Sequence, residues 1–377
     1  AFGFKNSRDI AAVFQGKTKG YSYGRATNPT VAALEEKITI LEDGLATCCF
    51  ATGMAAISAT LLTLLRSGDH LISSAYLFGN TNSFFNTLST LGIEVSFVDA
   101  TDVKNVIDAT QENTKAVFVE TIANPRTQIT DLALIGDYCA EQEFLYIVDN
   151  TLTTPLLFQP KSVKAGLIIN SLTKYIGGHG NALGGSVTET GCFDWSTYDN
   201  IYDTYKKVET TMWGILQIKK KGLRDMGGTL SAEAAHHLSV GSETLALRMK
   251  KSTSNTLVLA HFFEQHPLIN QVFYPGLESH KEHQRASTLF TAYGSLMSIE
   301  LNDNIDCFDF LDKLKLVITA TNLGDNRTLA IPVAHTIYYE MGAERRASMG
   351  IADGLIRLSI GIEDVDDLIN DFTLALS

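Results

Sequence analysis

Cysteine is scarce in this sequence and never paired. Cys48, Cys49, Cys139, Cys192 and Cys307 are the only five in 377 residues, and none forms a CxxC pair or a metal-ligand spacing. An odd, scattered set argues against a disulfide framework and suits reduced thiols in the cytoplasm, with no metal expected. Positive charge is also short: 30 Lys and Arg stand against 42 Asp and Glu, a net charge of −12. An acidic chain repels phosphate backbones, which sets nucleic acid aside as a partner. No run of five or more like charges marks an interaction tail. Neither GxGxxG after the first strand nor GxxxxGKS/T is present, which argues against dinucleotide and nucleoside-triphosphate binding. Repeats, low-complexity tracts and obvious linkers are missing too. One uncharged run, residues 44–65, is long enough to cross a bilayer. Glu42 and Asp43 precede it, Arg66 and Asp69 follow it, and threonines with a Thr-Gly pair interrupt it. It reads as a buried core helix, and no membrane partner is expected. No signal peptide opens the chain. It starts at Ala1-Phe2-Gly3 without an initiator methionine, and further N-terminal sequence is expected.

What is present is core-forming material. Hydrophobic residues make up 45% of the chain, enough for a large core and, at this length, two domains. Short apolar runs predict strands at His70–Ser73, Ile93–Val98, Ala116–Glu120, Phe144–Val148, Leu167–Asn170 and Gly185–Val187. Helices are predicted between them at Met54–Leu65, Asn80–Leu91 and Leu132–Glu141, the last capped by Asp131. The alternation implies an α/β fold with a mostly parallel sheet covered on both faces. The last third reads differently. A long helix near Glu243–Gln265 leads to strands at Ser295–Leu301, Leu316–Ala320 and Leu355–Ile360. An amphipathic helix follows, with Val365, Leu368, Ile369 and Phe372 on one face. The expected organisation is an N-terminal arm over 1–40, a large domain over 41–240 and a smaller α+β domain over 241–377.

Ligands in open α/β sheets sit outside the carboxyl ends of the strands. Several polar groups fall there. Asp149 ends an apolar strand, where a carboxylate is costly without a cation or donors. A protonated ring nitrogen would answer that need, and so would a helix cap or a metal. Lys174 follows the next strand, beside Ser171 and Thr173. A lysine there can serve as a nucleophilic amine or lie solvated on a loop. The two hydroxyls suit a phosphate, and Gly177 to Gly180 let backbone pass close to a ligand or form a plain turn. Gly53 and Met54 open a helix whose N–H groups can receive an anion. Tyr23 and Arg25 offer a phenol and a guanidinium fork. Arg357, inside an apolar strand, needs an anion: a substrate carboxylate or a structural partner.

Six segments, YSYGRATNPT (21–30), ATGMAAI (51–57), ETIANP (120–125), VDNT (148–151), NSLTKYIGGHG (170–180) and GLIRLSIGIEDVDDLI (354–369), occur in order along nearly the whole chain. Together they resemble the cysteine/methionine-metabolism family of pyridoxal 5′-phosphate (PLP) enzymes, of fold type I. The resemblance implies a mostly parallel, seven-stranded type of sheet with a smaller C-terminal α+β domain. It makes Lys174 the Schiff-base residue and Asp149 the partner of the pyridine nitrogen. Gly53, Met54, Ser171 and Thr173 become the phosphate cup, joined by Thr151 in the cofactor site. Asn124 would touch the cofactor's phenolic oxygen. Arg357, with Asn322, would bind substrate. Tyr23 and Arg25 would reach the phosphate of a neighbouring subunit, which implies a dimer of shared sites and usually a tetramer. Phe78 stands where the family has a ring-stacking Tyr, keeping the stack and losing the phenol. Asn80 stands where methionine γ-lyases tend to have Cys. GGHGN (177–181) and NLGDNRTL (322–329) are similar to O-acetylhomoserine sulfhydrylases, while IPVAHT (331–336) departs from their wording. The implied activity is transfer of sulfide onto O-acetylhomoserine to give homocysteine. The alternatives are cystathionine γ-synthase, methionine or cystathionine γ-lyase and, in another class, a homologue that binds PLP without catalysis.

Overall fold

The computed structural model describes the backbone of residues 1–377 and every side chain except those of Arg345 and Ser348. The large sheet is built from β1 (Ala46–Phe50), β2 (His70–Ser74), β3 (Glu94–Val98), β4 (Thr114–Glu120), β5 (Leu145–Asp149), β6 (Leu167–Asn170) and β7 (Gly185–Glu189). Their order is β1-β7-β6-β5-β4-β2-β3. The pairs β3–β2, β2–β4, β4–β5 and β5–β6 are parallel. β7 runs against both of its neighbours. It is the one reversed strand, so the sheet is mostly parallel, as expected.

The two-residue period of the central strands divides the core. Val117, Val119, Tyr146, Val148 and Ile168 face one cluster with Leu34, Ile38, Leu132 and Ile135. Phe118, Leu145, Ile147, Leu167 and Ile169 face the other, with Ile57, Leu61 and Leu64. Alternate residues on one strand thus meet helices on opposite sides, and such strands read as unbroken apolar runs. Helix Pro29–Leu41 starts cleanly because Asn28 accepts from the Thr30 N–H at 2.9 Å and Pro29 lacks a donor to orphan. Helix Ser7–Phe14, by contrast, buries no residue.

Three local expectations need correction. The uncharged run is not one helix: its first part is the edge strand β1, and the helix begins only at Gly53. Thr52 makes the break, its hydroxyl accepting from the Ala55 N–H at 3.0 Å. Asp131 stands at the start of helix Leu132–Gln142 but makes no side-chain cap bond, and its carboxylate lies 3.7 Å from Arg285. The strand expected over 316–320 shrinks to Ile318–Thr319.

The second sheet holds β8 (Ile269–Phe273), β9 (Leu296–Leu301), β10 (Ile318–Thr319), β11 (Leu329–Pro332) and β12 (Leu355–Ser359), in the order β10-β11-β12-β9-β8. Helices Leu245–Glu264 and Val365–Ala375 bury Phe263 and Phe372 with Met297, Ile299, Ile356 and Leu358. No helix among the described residues is long and apolar enough to cross a membrane.

Candidate active site

The parallel strands finish in register. Glu120 at the end of β4 is paired with Asp149 at the end of β5, and Asp149 with Ile169 one residue before the end of β6. Outside these ends lies a cavity of about 530 Å³. It is lined by Gly53, Met54, Phe78, Asn124, Asp149, Thr151, Ser171, Thr173, Lys174, Asn322 and Arg357. Every site residue read from the sequence therefore converges here except Tyr23 and Arg25. Those two lie outside the cavity and are exposed, the Arg25 guanidinium 5.3 Å from the Tyr23 ring centre and bonded to the Arg224 carbonyl.

Lys174 sits in a tight turn after β6, its N–H bonded to the Ser171 carbonyl at 3.1 Å and its carbonyl to the Gly178 N–H at 2.7 Å. Its Nζ donates to Asn322 Oδ1 at 2.7 Å. Burial, helped by the Arg357 charge, pulls the ammonium down to about 8. Arg357 is buried in β12. Its Nη2 donates to the carbonyls of Thr321 (2.7 Å) and Asn322 (3.2 Å), its Nη1 reaches Asn124 Oδ1 at 3.4 Å, and its Nε has no partner. It has no carboxylate partner among the described residues, so the buried cation has dipoles around it but no counter-charge.

Asp149 is the complementary case. One oxygen accepts from the Thr151 N–H at 2.9 Å, and no cation among the described residues answers it. Burial raises its pKa. Across the β4–β5 pair, Glu120 is buried and raised well above the usual range, first by burial and then by the charge of Asp149. Its Oε1 accepts from the Phe78 N–H at 2.8 Å, which fixes the backbone beneath the half-exposed Phe78 ring. Two carboxyls side by side, Glu120 buried and Asp149 half-buried at the cavity wall, favour keeping a proton between them.

The opposite wall is shaped for an anion. Helix Gly53–Leu64 presents its first turn, where the N–H groups of Gly53 and Met54 have no intrahelical acceptor. A Cβ on Gly53 would stand 2.9 Å from the Ser171 Cβ, so glycine allows the helix end to meet the β6 turn. The Ser171 N–H is held by Thr151 Oγ1 at 2.8 Å, and Thr173 Oγ1 accepts from the Gly184 N–H at 3.0 Å. Among the described residues, no group of three or more His, Cys, Asp and Glu could hold a metal ion.

Sequence reading missed Glu120 as a site residue, although its place at the end of β4 matched that of Asp149 at the end of β5. It also missed Tyr338, whose buried hydroxyl donates to the Asn124 carbonyl at 2.9 Å. Nothing in the local sequence around Tyr338 announces a contact with a residue 214 positions earlier.

A family model described as Cys/Met metabolism PLP-dependent enzyme matches residues 1–377. The chain belongs to that family. Cys/Met-metabolism relatives include an L-methionine γ-lyase of Fusobacterium nucleatum subsp. polymorphum, 36% identical over 100% of this chain and 91% of the relative. A homocysteine synthase of Schizosaccharomyces pombe is 34% identical over 100% and 91%. The structure of a Campylobacter jejuni O-acetylhomoserine (thiol)-lyase superposes with a TM-score of 0.94 at 33% identity, covering 100% of this chain and 93% of that one, and it carries a pyridoxyl-lysine. The fold is therefore fold type I, and the protein is a PLP-dependent enzyme of sulfur amino-acid metabolism. The cavity suits the cofactor on its own evidence: a half-buried amine, a half-buried carboxylate with no cation beside it among the described residues, and a glycine-narrowed helix start beside two hydroxyls.

Proposed function

We propose that the enzyme catalyses γ-replacement, converting O-acetylhomoserine and sulfide to homocysteine and acetate. The observation that carries an amino-acid substrate is Arg357: a buried guanidinium without a counter-charge, opening on the same cavity as Lys174. An α-carboxylate supplies the missing charge and the fork geometry fits it. Replacement is favoured over elimination by GGHGN and NLGDNRTL, whose Asn322 holds the Lys174 amine at 2.7 Å.

Bound PLP supplies an electron sink that makes the substrate's Cα and then Cβ hydrogens acidic. Asp149 keeps a proton on the pyridine nitrogen, its own negative charge balanced there. Gly53, Met54, Ser171, Thr173 and Thr151 hold the phosphate end, and Asn124 the phenolic oxygen. The Phe78 ring stacks without offering a proton. With PLP bound, Lys174 Nζ would take the Cα proton, then move a proton at Cβ, and return a proton to each carbon once the sulfur has added. The Cγ–O bond breaks with departure of acetate, and the sulfide sulfur forms a Cγ–S bond in its place. Tyr23 and Arg25, away from their own cavity, complete the phosphate site of a second copy, in a dimer that pairs into a tetramer. The free cysteines fit a reducing cytoplasm.

The deciding experiment is product analysis. With O-acetylhomoserine and sulfide, homocysteine should dominate; without sulfide, turnover should fall and little 2-oxobutanoate appear. Abundant 2-oxobutanoate from methionine or cystathionine would replace this reading with a γ-lyase, the activity of one close relative.

Two further results are expected. A protonated Lys174 has no lone pair, so uptake of PLP by the cofactor-free protein should quicken with pH, about tenfold per unit, and level off above about 8. Stopped-flow absorbance checks this; a rate still climbing steeply near pH 10 would mean that the amine is not shifted. Asp149→Ala should weaken PLP binding and slow turnover by about a hundredfold or more, since it leaves a buried cation unpaired. Wild-type affinity in equilibrium dialysis would reduce Asp149 to a cap for Thr151.

A further inference from the structure

Beneath the cavity floor lies a polar cluster that the chemistry above does not use. Glu42 closes helix Pro29–Leu41 and is completely buried. A buried carboxyl needs partners to offset its lost hydration. Here the partners are two buried amides. Asn150 Nδ2 reaches its two oxygens at 3.1 and 3.3 Å, and Asn170 Nδ2 approaches Oε1 at 2.6 Å. No lysine, arginine or histidine bonds to it among the described residues. Asn150 directly follows Asp149, and Asn170 directly precedes Ser171. One side chain therefore ties together the ends of β5 and β6, and the residues beside those ties line the cavity.

The cluster is short of donors in a telling way. Asn170 Oδ1 is buried without a partner, and so is the hydroxyl of Ser186, its register partner across β6 and β7. A contact of 2.6 Å is short for an amide N–H on oxygen and ordinary for an O–H on oxygen. Which end of an amide is the oxygen follows from the bonds it makes. With the Asn170 amide turned over, its oxygen accepts a proton carried by Glu42, and its nitrogen takes the orphaned position on the Ser186 side. Burial drives the same outcome, raising the Glu42 carboxyl to about 7 against the opposing pull of the Asn170 and Asn150 bonds, and the nearby Asp149 charge adds a smaller upward push.

We propose that Glu42 is a positioning residue, held as an uncharged acid, that fixes through Asn150 and Asn170 the two strand ends presenting Asp149 and Ser171 to the cofactor. This rests on the assignment of Asp149 and Ser171 to PLP. An uncharged Glu42 also keeps a second negative charge from the back of Asp149, whose own charge is wanted by the pyridine nitrogen.

The test compares Glu42→Gln, which keeps shape and neutrality, with Glu42→Ala, which keeps only neutrality. Infrared difference spectra of the holoenzymes below neutral pH should show a protonated-carboxyl stretch in wild type that Glu42→Gln lacks. A carboxylate band in its place overturns the uncharged acid. Glu42→Gln should keep PLP affinity and the pH midpoint of the cofactor's absorbance. Glu42→Ala should weaken affinity about tenfold and move that midpoint. Wild-type values in Glu42→Ala, or equal damage in both variants, overturn the proposal. If Glu42→Ala does not fold, Asn170→Ser decides, because it cuts only the tie to Ser171: a similar loss supports the proposal and wild-type affinity overturns it. Failure of the underlying site reading is distinct, since Asp149→Ala would then bind PLP normally while the infrared band remained.

Discussion

Lys174→Ala should give a folded protein that binds PLP without covalent attachment and turns over at background. On the proposed roles, the change removes the anchor and the base together. The base alone is worth roughly 10²–10⁴-fold in rate, and the lost anchor adds to that. Folding should not suffer, because burial disfavours the charged amine: its pKa falls to about 8, so the protonated form is a strained one in the folded state. Between about 8 and the ordinary lysine value, the unfolded chain binds the proton that the folded chain lacks. Wild-type stability in the cofactor-free protein should thus rise with pH across that window, and the variant should lose that rise. Among the described residues, the side chain loses one hydrogen bond, to Asn322 Oδ1. Borohydride should fix the cofactor onto the wild-type peptide that carries Lys174 and onto no peptide of the variant. A label on another lysine would sink the assignment of this site.

Much of that site was legible because β4, β5 and β6 are buried on both faces. Such strands read as plain apolar runs, so Asp149 stands out where β5 stops and Ser171 just after β6 ends, while Glu120 held the same position at the end of β4 and was passed over. Gly53 was legible as a helix start beside a Thr. The edges were harder. β1 hides inside an uncharged run whose helix shares its composition, and only Thr52 separates them. β8 carries the exposed Asn270 and Gln271 on a half-buried edge, so it offers neither an apolar run nor a clean alternation. Glu42 is the sharpest case. In the sequence it is one of two acidic residues flanking an apolar run, the pattern of a solvated helix end. In the fold its neighbour Asp43 does face outward, bridged to Lys161 at 2.9 Å, while Glu42 turns inward to two amides that lie more than a hundred residues away. Local pattern carries no signal for contacts of that separation. The lack of a counter-charge at Arg357 is of the same kind: the strand showed a buried arginine, and only the three-dimensional arrangement shows what surrounds it.

Mixing Arg25→Ala with Lys174→Ala should restore activity that neither variant has. In one subunit the Arg25 guanidinium is exposed, far enough from the cavity to rest on its own Tyr23 ring and the Arg224 carbonyl. An exposed arginine contributes little to its own chain, so Arg25→Ala should fold and melt as wild type while losing PLP affinity. On the proposed shared site, that loss belongs to a neighbour's phosphate site. In a closed two-fold dimer, each site takes Lys174 from one chain and Arg25 from the other. Random pairing of equal amounts makes half the dimers mixed, and each mixed dimer has one site with both residues intact. About a quarter of all sites should therefore recover. The two lesions must meet in one dimer for this to happen, so mixing without subunit exchange should restore nothing and co-refolding should restore the full fraction. A nearly active Arg25→Ala would make the residue a surface contact. An inactive one that Lys174→Ala cannot rescue would place Arg25 and Lys174 in the same chain's site, and Arg25 would then have to leave the Arg224 carbonyl to reach it.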